Sequence, residues 1–251
     1  MLRDELRSAT NPKPRLFFLG QAGFAIQNGQ GKWLAIDPYL SDCVRRVEGH
    51  DGFKRLFPAP VSATELPCDL IVATHPHVDH FDIDAVPEMM SKGAKLFCSV
   101  DCEKLVHQLQ MEYYSPSITY VAPGDHYTAG DFYITFVNCD HGTGAPDAVG
   151  VVVKVDGKTI YEVGDSCLRL DRVNEIPQPV DVLISPINGQ FGNMDSDDTA
   201  KLAEALHPAL TIPCHYGMFA SHGGDLKRFY DVMTEKKLPM LIMQQGEVYR
   251  L

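Results

Sequence analysis

A chain of 251 residues, 45% hydrophobic and 22% charged, can bury a substantial core, which excludes a disordered or fibrous protein and suits one α/β domain spanning 1–251. Lysine and arginine total 22 against 33 acidic residues, a net charge of −11, so the basic footprint of a general nucleic-acid binder is missing. No apolar run has the length of a membrane span, and 1–14 carries no stretch resembling a signal peptide.

Seven cysteines, at 43, 68, 98, 102, 139, 167 and 214, form no Cys-x-x-Cys pair. Free, largely buried thiols in a reducing, cytoplasmic compartment are the expectation. The expected partner is a small-molecule substrate, with neither nucleic acid nor membrane; assembly into a homo-oligomer is left open.

Taken in order, 1–14 reads as an N-terminal arm. Strands are predicted at 15–20 and 23–27 around the turn Gly20-Gln21-Ala22-Gly23, and at 32–36 before Asp37-Pro38-Tyr39. Three short strands in succession predict an antiparallel meander. The segment 43–66 has no clear period, carries Arg45, Arg46, Lys54 and Arg55, and is broken by Pro58 and Pro60. It reads as an irregular insert, either a substrate lid or a solvated loop.

The apolar run 70–73 predicts a buried strand. Asp82 or Asp84 then caps a helix over 85–92, with Pro87 tolerated in its first turn. A strand at 94–100, a helix from Asp101 to 110 and strands at 117–121, 132–139, 149–155 and 159–163 follow. Asp156-Gly157 marks a hairpin between the last two. A strand at 181–185, a helix capped by Asp195 or Ser196, a strand at 210–214 and a helix at 225–236 come next. The chain closes with a hairpin of 240–243 and 247–250 around Gln245-Gly246. Strand blocks in both halves, each with helices, predict two sheets packed face to face with helices outside.

Chemistry concentrates after the 70–73 strand, in Thr74-His75-Pro76-His77-Val78-Asp79-His80. Imidazole nitrogens and carboxylate oxygens are metal donors, and four such side chains at the mouth of a buried strand are hard to explain by packing. One loop of this spacing can serve two adjacent ions, His75 and His77 facing one, Asp79 and His80 the other. Further donors stand at other strand exits: Asp140 and His141, Asp165 after Gly164, and His215 before Tyr216-Gly217. Asp37, at its own strand end, serves either to cap a loop or to brace a histidine of the site.

This order of residues resembles the metallo-β-lactamase superfamily, whose fold is a four-layer αββα sandwich of two mixed sheets with outer helices. Within it the chain looks most like the L-ascorbate-6-phosphate lactonase branch, through Gly20-Gln21-Ala22-Gly23-Phe24, Ile36-Asp37-Pro38, the Thr74–His80 motif, Gly164-Asp165-Ser166, Pro186-Ile187-Asn188-Gly189 and Ile212-Pro213-Cys214-His215-Tyr216-Gly217. The resemblance implies that His75, His77 and His141 hold one metal, that Asp79, His80 and His215 hold a second, and that Asp165 bridges them. Two divalent ions, zinc or manganese with iron as a further option, would generate a metal-bridging hydroxide. Asp79 is the candidate to orient that nucleophile and carry its proton. Asp37 and Asp140 are expected to brace ligating histidines, and Tyr39, Asn188 and Tyr216 to touch substrate. Arg45, Arg46 and His222 are candidates for meeting a phosphate or carboxylate. The expected activity is hydrolysis of a small anionic sugar lactone, with or without a phosphate. A phosphodiesterase is the alternative, and a non-catalytic metal-binding protein a third class.

Overall fold

The computed structural model describes residues 5–6 and 13–251, so most of the expected N-terminal arm lies outside the described residues. Among the described residues thirteen strands form two sheets. The first contains β1 (Arg15–Gly20), β2 (Gly23–Gln27), β3 (Trp33–Ile36), β4 (Leu70–Ala73), β5 (Lys95–Ser99), β6 (Ile118–Val121) and β13 (Val248–Arg250). Its spatial order is β13-β1-β2-β3-β4-β5-β6, antiparallel as far as β3 and parallel beyond it. The second contains β7 (His126–Ala129), β8 (Phe132–Asn138), β9 (Val149–Val155), β10 (Lys158–Glu162), β11 (Val182–Pro186) and β12 (Leu210–Cys214), in the order β12-β11-β10-β9-β8-β7.

Alternation along the strands assigns each face. Phe18, Phe24, Ile36 and Val72 of the first sheet meet Phe136, Val151 and Ile184 of the second in the interior between them. The intervening Ile71 and Ala73 point outward, against Val86, Met89 and Met90 of α2 (Ala85–Ser91), with α3 (Glu103–Gln108) beyond. On the far side Val152 and Leu183 pack on Ala203 and Leu206 of α4 (Ser196–Leu206) and Phe229 of α5 (Leu226–Glu235). The expected four layers result, each large apolar side chain contributing roughly 1.5–3 kcal/mol by its burial.

Local devices follow the sequence. Asp195 Oδ1 accepts from the Asp198 amide at 2.9 Å and Asp225 Oδ1 from the Arg228 amide at 2.8 Å, so both late helices are capped as their residue types require. Asp82, not Asp84, serves α2: it accepts from the amides of Asp84 and Ala85 at 3.0 and 2.9 Å, while Asp84 pairs with Arg46. Asp156 and Gly157 both have positive φ, 46° and 75°, the conformation of a tight hairpin turn. Gly23 is required by space, since a Cβ there would lie 2.8 Å from the Asp37 carbonyl oxygen.

Four expectations are corrected. Asp101 does not cap a helix; Ser99 accepts from its amide and opens a single 3₁₀ turn, Val100–Cys102, before α3. The short edge strand β7 is additional, its half-exposed residues giving no apolar run to read. Part of 43–66 is regular, as α1 (Cys43–Glu48) and a 3₁₀ turn at Asp51–Phe53. The closing hairpin does not form. Met240 bridges Thr211 beside the second sheet, whereas β13 pairs with β1 in the first. The two apolar pieces serve different sheets, a choice only the sandwich can make. All seven cysteines are free, five of them buried, and no described helix is long and apolar enough to cross a membrane.

Candidate metal centre

One end of the sandwich gathers the loops that follow β1, β3, β4, β8, β10 and β12. Two backbone hydrogen bonds stitch the sheets together there: the Val149 amide to the Thr74 carbonyl at 3.1 Å, and the His215 amide to the Gln21 carbonyl at 2.8 Å. Gln21, Asp37 and His215 all adopt positive φ, 55°, 45° and 59°. Left-handed backbone at non-glycine residues is unfavourable and gathers at functional sites.

The donors fall into three overlapping triads, His75–His77–His141, His75–His80–Asp165 and Asp79–His80–His215, in each of which the donor atoms lie within 4.8 Å of one another. In the first, His77 Nδ1 stands 2.9 Å from His75 Nε2 and 3.1 Å from His141 Nε2. In the last, His215 Nε2 is 3.3 Å from His80 Nε2 and 3.3 Å from Asp79 Oδ2. Asp165 Oδ2 lies 3.4 Å from His80 Nε2 and 3.2 Å from His215 Nε2. Its other oxygen, Oδ1, is buried without a protein partner.

Asp37 sets the orientation, as expected of a bracing carboxylate. It is fully buried and accepts from the Thr74 amide at 2.8 Å, the Thr74 hydroxyl at 2.6 Å and His80 Nδ1 at 2.6 Å. Because the Thr74 hydroxyl gives its proton to Asp37, it can only accept from His75 Nδ1, 3.0 Å away. Both imidazoles are thereby held with Nδ1 donating outward and Nε2 facing the cluster, where a metal would take the place of any Nε2 proton.

The electrostatics call for a cation. Burial alone would lower His80 and His215, yet Asp165 and Asp79 outweigh it, raising His80 well above the usual imidazole range and His215 to about 9. Burial disfavours the ionised form of Asp79 and Asp165, but the neighbouring histidines hold both far below the ordinary carboxylate range. His75 is pushed well down by burial and then by His80, which together outweigh the opposing pull of Asp165. Converging imidazole nitrogens, ionised buried carboxylates and an orphaned carboxylate oxygen together fit a divalent metal, which would displace the protons the histidines otherwise hold.

Residues 32–216 match the β-lactamase superfamily domain. A UPF0173 metal-dependent hydrolase of Thermococcus kodakarensis is 31% identical over 242 residues, spanning 93% of this chain and 98% of its own length. The chain belongs to this hydrolase family. Among solved structures, Igni18, a metallo hydrolase from Ignicoccus hospitalis, superposes with a TM-score of 0.72 at 22% identity, over 95% of this chain and 98% of its own. An isothiocyanate hydrolase from Delia radicum gut bacteria gives 0.75 at 19% identity, over 94% of this chain and 98% of its own. At such identities the likeness concerns the fold.

Of the residues expected to touch substrate or brace the site of this metal-dependent hydrolase, Asp37 holds a histidine of the cluster and His222 lines the cavity, while the others lie elsewhere. Tyr39 is fully buried against Phe219 at 5.6 Å, beneath the Arg55 guanidinium, and does not line the cavity. Asp140 is drawn away from the histidines by Arg169, at 2.6 Å, which holds its carboxyl below the usual range. Asn188 accepts from Asn193 Nδ2 at 3.2 Å and shapes the loop after β11. Tyr216 donates to the Met243 carbonyl at 3.1 Å and lines a separate groove. Arg45 pairs with Asp51 and Arg46 with Asp84, at 2.8 Å each. Neither lines the cavity over the donor cluster.

Gln21 was legible only as a turn residue. Its Nε2 lies 2.9 Å from Asp79 Oδ2, 3.1 Å from His215 Nε2 and 3.0 Å from His222 Nδ1. An amide flanked by glycines at a strand end was the one available signal. His222 does reach the cavity, and burial followed by the nearby His215 lowers it to about 4, so it is a neutral imidazole at neutral pH.

Proposed function

We propose that this metal-dependent hydrolase holds two divalent cations and opens a small lactone. The observation that carries the reading is Asp165, whose Oδ2 already lies beside His80 and His215 while its Oδ1 is buried and unpartnered. His75, His77 and His141 would hold one ion and Asp79, His80 and His215 the other, with Asp165 shared. A donor set rich in imidazole suits zinc, and its carboxylates also admit manganese or iron. Bound there, the ions would acidify water and polarise a carbonyl oxygen.

The chain's own groups account for the proton. Asp79 is ionised, and the Gln21 amide holds its Oδ2 at 2.9 Å. It takes a proton as water adds to the ester carbon, and returns it to the departing alkoxide oxygen when the ring C–O bond breaks. Thr74 and Asp37 accept from Nδ1 of His75 and His80, which turns each Nε2 toward the cluster, where it would hold an ion and leave the proton to Asp79.

The test is a hydrolysis screen on zinc- and manganese-reconstituted protein with lactones, thioesters and phosphodiesters, beside elemental analysis. Turnover of lactones with up to two metals per chain is expected. Turnover confined to phosphodiesters would replace the reading with phosphodiester hydrolysis. Less than one metal per chain after supplementation would end it.

A further inference from the structure

The cavity over the donor cluster, of about 300 Å³, is walled by apolar and aromatic side chains from three separate segments. Val44, Val47 and Phe53 come from 43–66, Val78 from the histidine loop, and Phe191 from the loop after β11. Val47 and Phe191 are 53% and 59% exposed. Large apolar groups left in water around a concave site mark a surface that binds apolar matter.

The aromatic wall is continuous with the chemistry. His222 meets Phe53 edge-on at 5.5 Å and Phe191 at 5.2 Å, while its Nδ1 touches Gln21, which in turn holds Asp79. Phe191 is presented at a conformational cost, with φ 57°. The loop enforces it through the Gly189 amide to the Met194 carbonyl at 3.1 Å and the Asn193 amide to the Gln190 carbonyl at 3.0 Å. An aromatic residue held in left-handed backbone, its ring in solvent, is the kind of strain that persists for function.

Charge points the same way. Among the described residues no lysine or arginine lines the cavity, and outside the donor cluster Glu48 is its one charged side chain. Arg45 and Arg46 pair with Asp51 and Asp84, and Arg55 lies over the Tyr39 ring, outside the cavity lining, donating to the carbonyls of Tyr39 and Ser41.

We infer that the substrate carries a neutral, apolar substituent that lies between α1 and Phe191, and that a phosphorylated or otherwise anionic one is rejected there. The inference rests on hydrolysis at the same site and names the substrate class. It replaces the anionic sugar lactone expected from the sequence.

The test uses the full chain reconstituted with zinc and two probes of equal length, hexanoate and adipate, titrated calorimetrically. One carboxylate anchors either probe at the donor cluster, so the far end reports on the wall. At about fourfold per buried methylene, hexanoate should bind at least about tenfold more tightly than adipate. Phe191→Ala should shrink that ratio to about threefold or less, and Val47→Lys should invert it. Both positions are exposed, and unchanged melting temperatures verify folding. Equal affinities, tighter adipate, no hexanoate binding, or a ratio unmoved in both variants would overturn the inference. Ester and lactone turnover measured in parallel separates the two readings. Hexanoate preference without any hydrolysis sinks the lactonase and keeps the apolar pocket; lactone turnover with adipate preference does the reverse.

Discussion

Asp37→Asn alters the group that orients the centre while leaving every donor residue in place. Asparagine is nearly isosteric and tolerates the φ of 45° that Asp37 adopts, so the backbone need not move. Asp37 now accepts three hydrogen bonds, from the Thr74 amide, the Thr74 hydroxyl and His80 Nδ1. Asparagine has one acceptor oxygen. With that oxygen on the Thr74 amide, its NH₂ faces the hydroxyl and the imidazole. The hydroxyl can turn, but His80 must give up its Nδ1 proton and carry one on Nε2, inside the donor cluster. The lost bond is buried and charge-assisted, worth about 1.5–3 kcal/mol. That corresponds to a roughly 10–100-fold weaker metal affinity. Competition against a chromophoric chelator measures the dissociation constant, and kcat/KM should follow metal occupancy. A metal Kd within about twofold of wild type would refute the orienting role, since a bracing group is worth at least about tenfold.

Other perturbations probe separate parts of the centre. Asp165→Ala should lose metal by elemental analysis and nearly all turnover; full activity would rule out a shared carboxylate. Gln21→Ala should keep its metal yet lower kcat about tenfold, by freeing Asp79, and an unchanged kcat would remove Gln21 from the mechanism. Tyr39→Phe should unfold at the same or a higher temperature with activity intact, because its hydroxyl is buried without a partner. In metal-stripped protein, Asp165 and Asp79 raise His215 from 6.5 to about 9 against the opposing pull of burial. The stabilisation is therefore complete below the unfolded value and fades as pH rises through the folded one, by at most about 3 kcal/mol. Chelator-treated protein should melt progressively lower across that window, and a flat profile would contradict the assignment.

The layering and the histidine loop were legible in the sequence because both are local. Near-continuous apolar runs such as 70–73 and 149–155 declare buried strands, and Asp156-Gly157 declares its turn. The donors at 75, 77, 79 and 80 sit within one loop, and His141, Asp165 and His215 each follow a strand. What each polar neighbour does is not local. Asp140 and Asp37 are both aspartates at strand exits, yet Arg169 captures one, and Thr74 with His80 captures the other. Tyr39 and Tyr216 flank motif residues in sequence and face away from the cavity in space. The closing segment was misread as a hairpin because pairing partners depend on which sheet edge is open.

The His-x-His-x-Asp-His loop and its distant donors, read in sequence, determine that this protein binds metal and hydrolyses. Only tertiary structure decides what surrounds the donor cluster. Val47 and Phe53, Phe191, and His222 come from three separate segments that carry no shared pattern. They become one surface when the two sheets close, because a cavity wall is a property of distance in space and not of order along the chain.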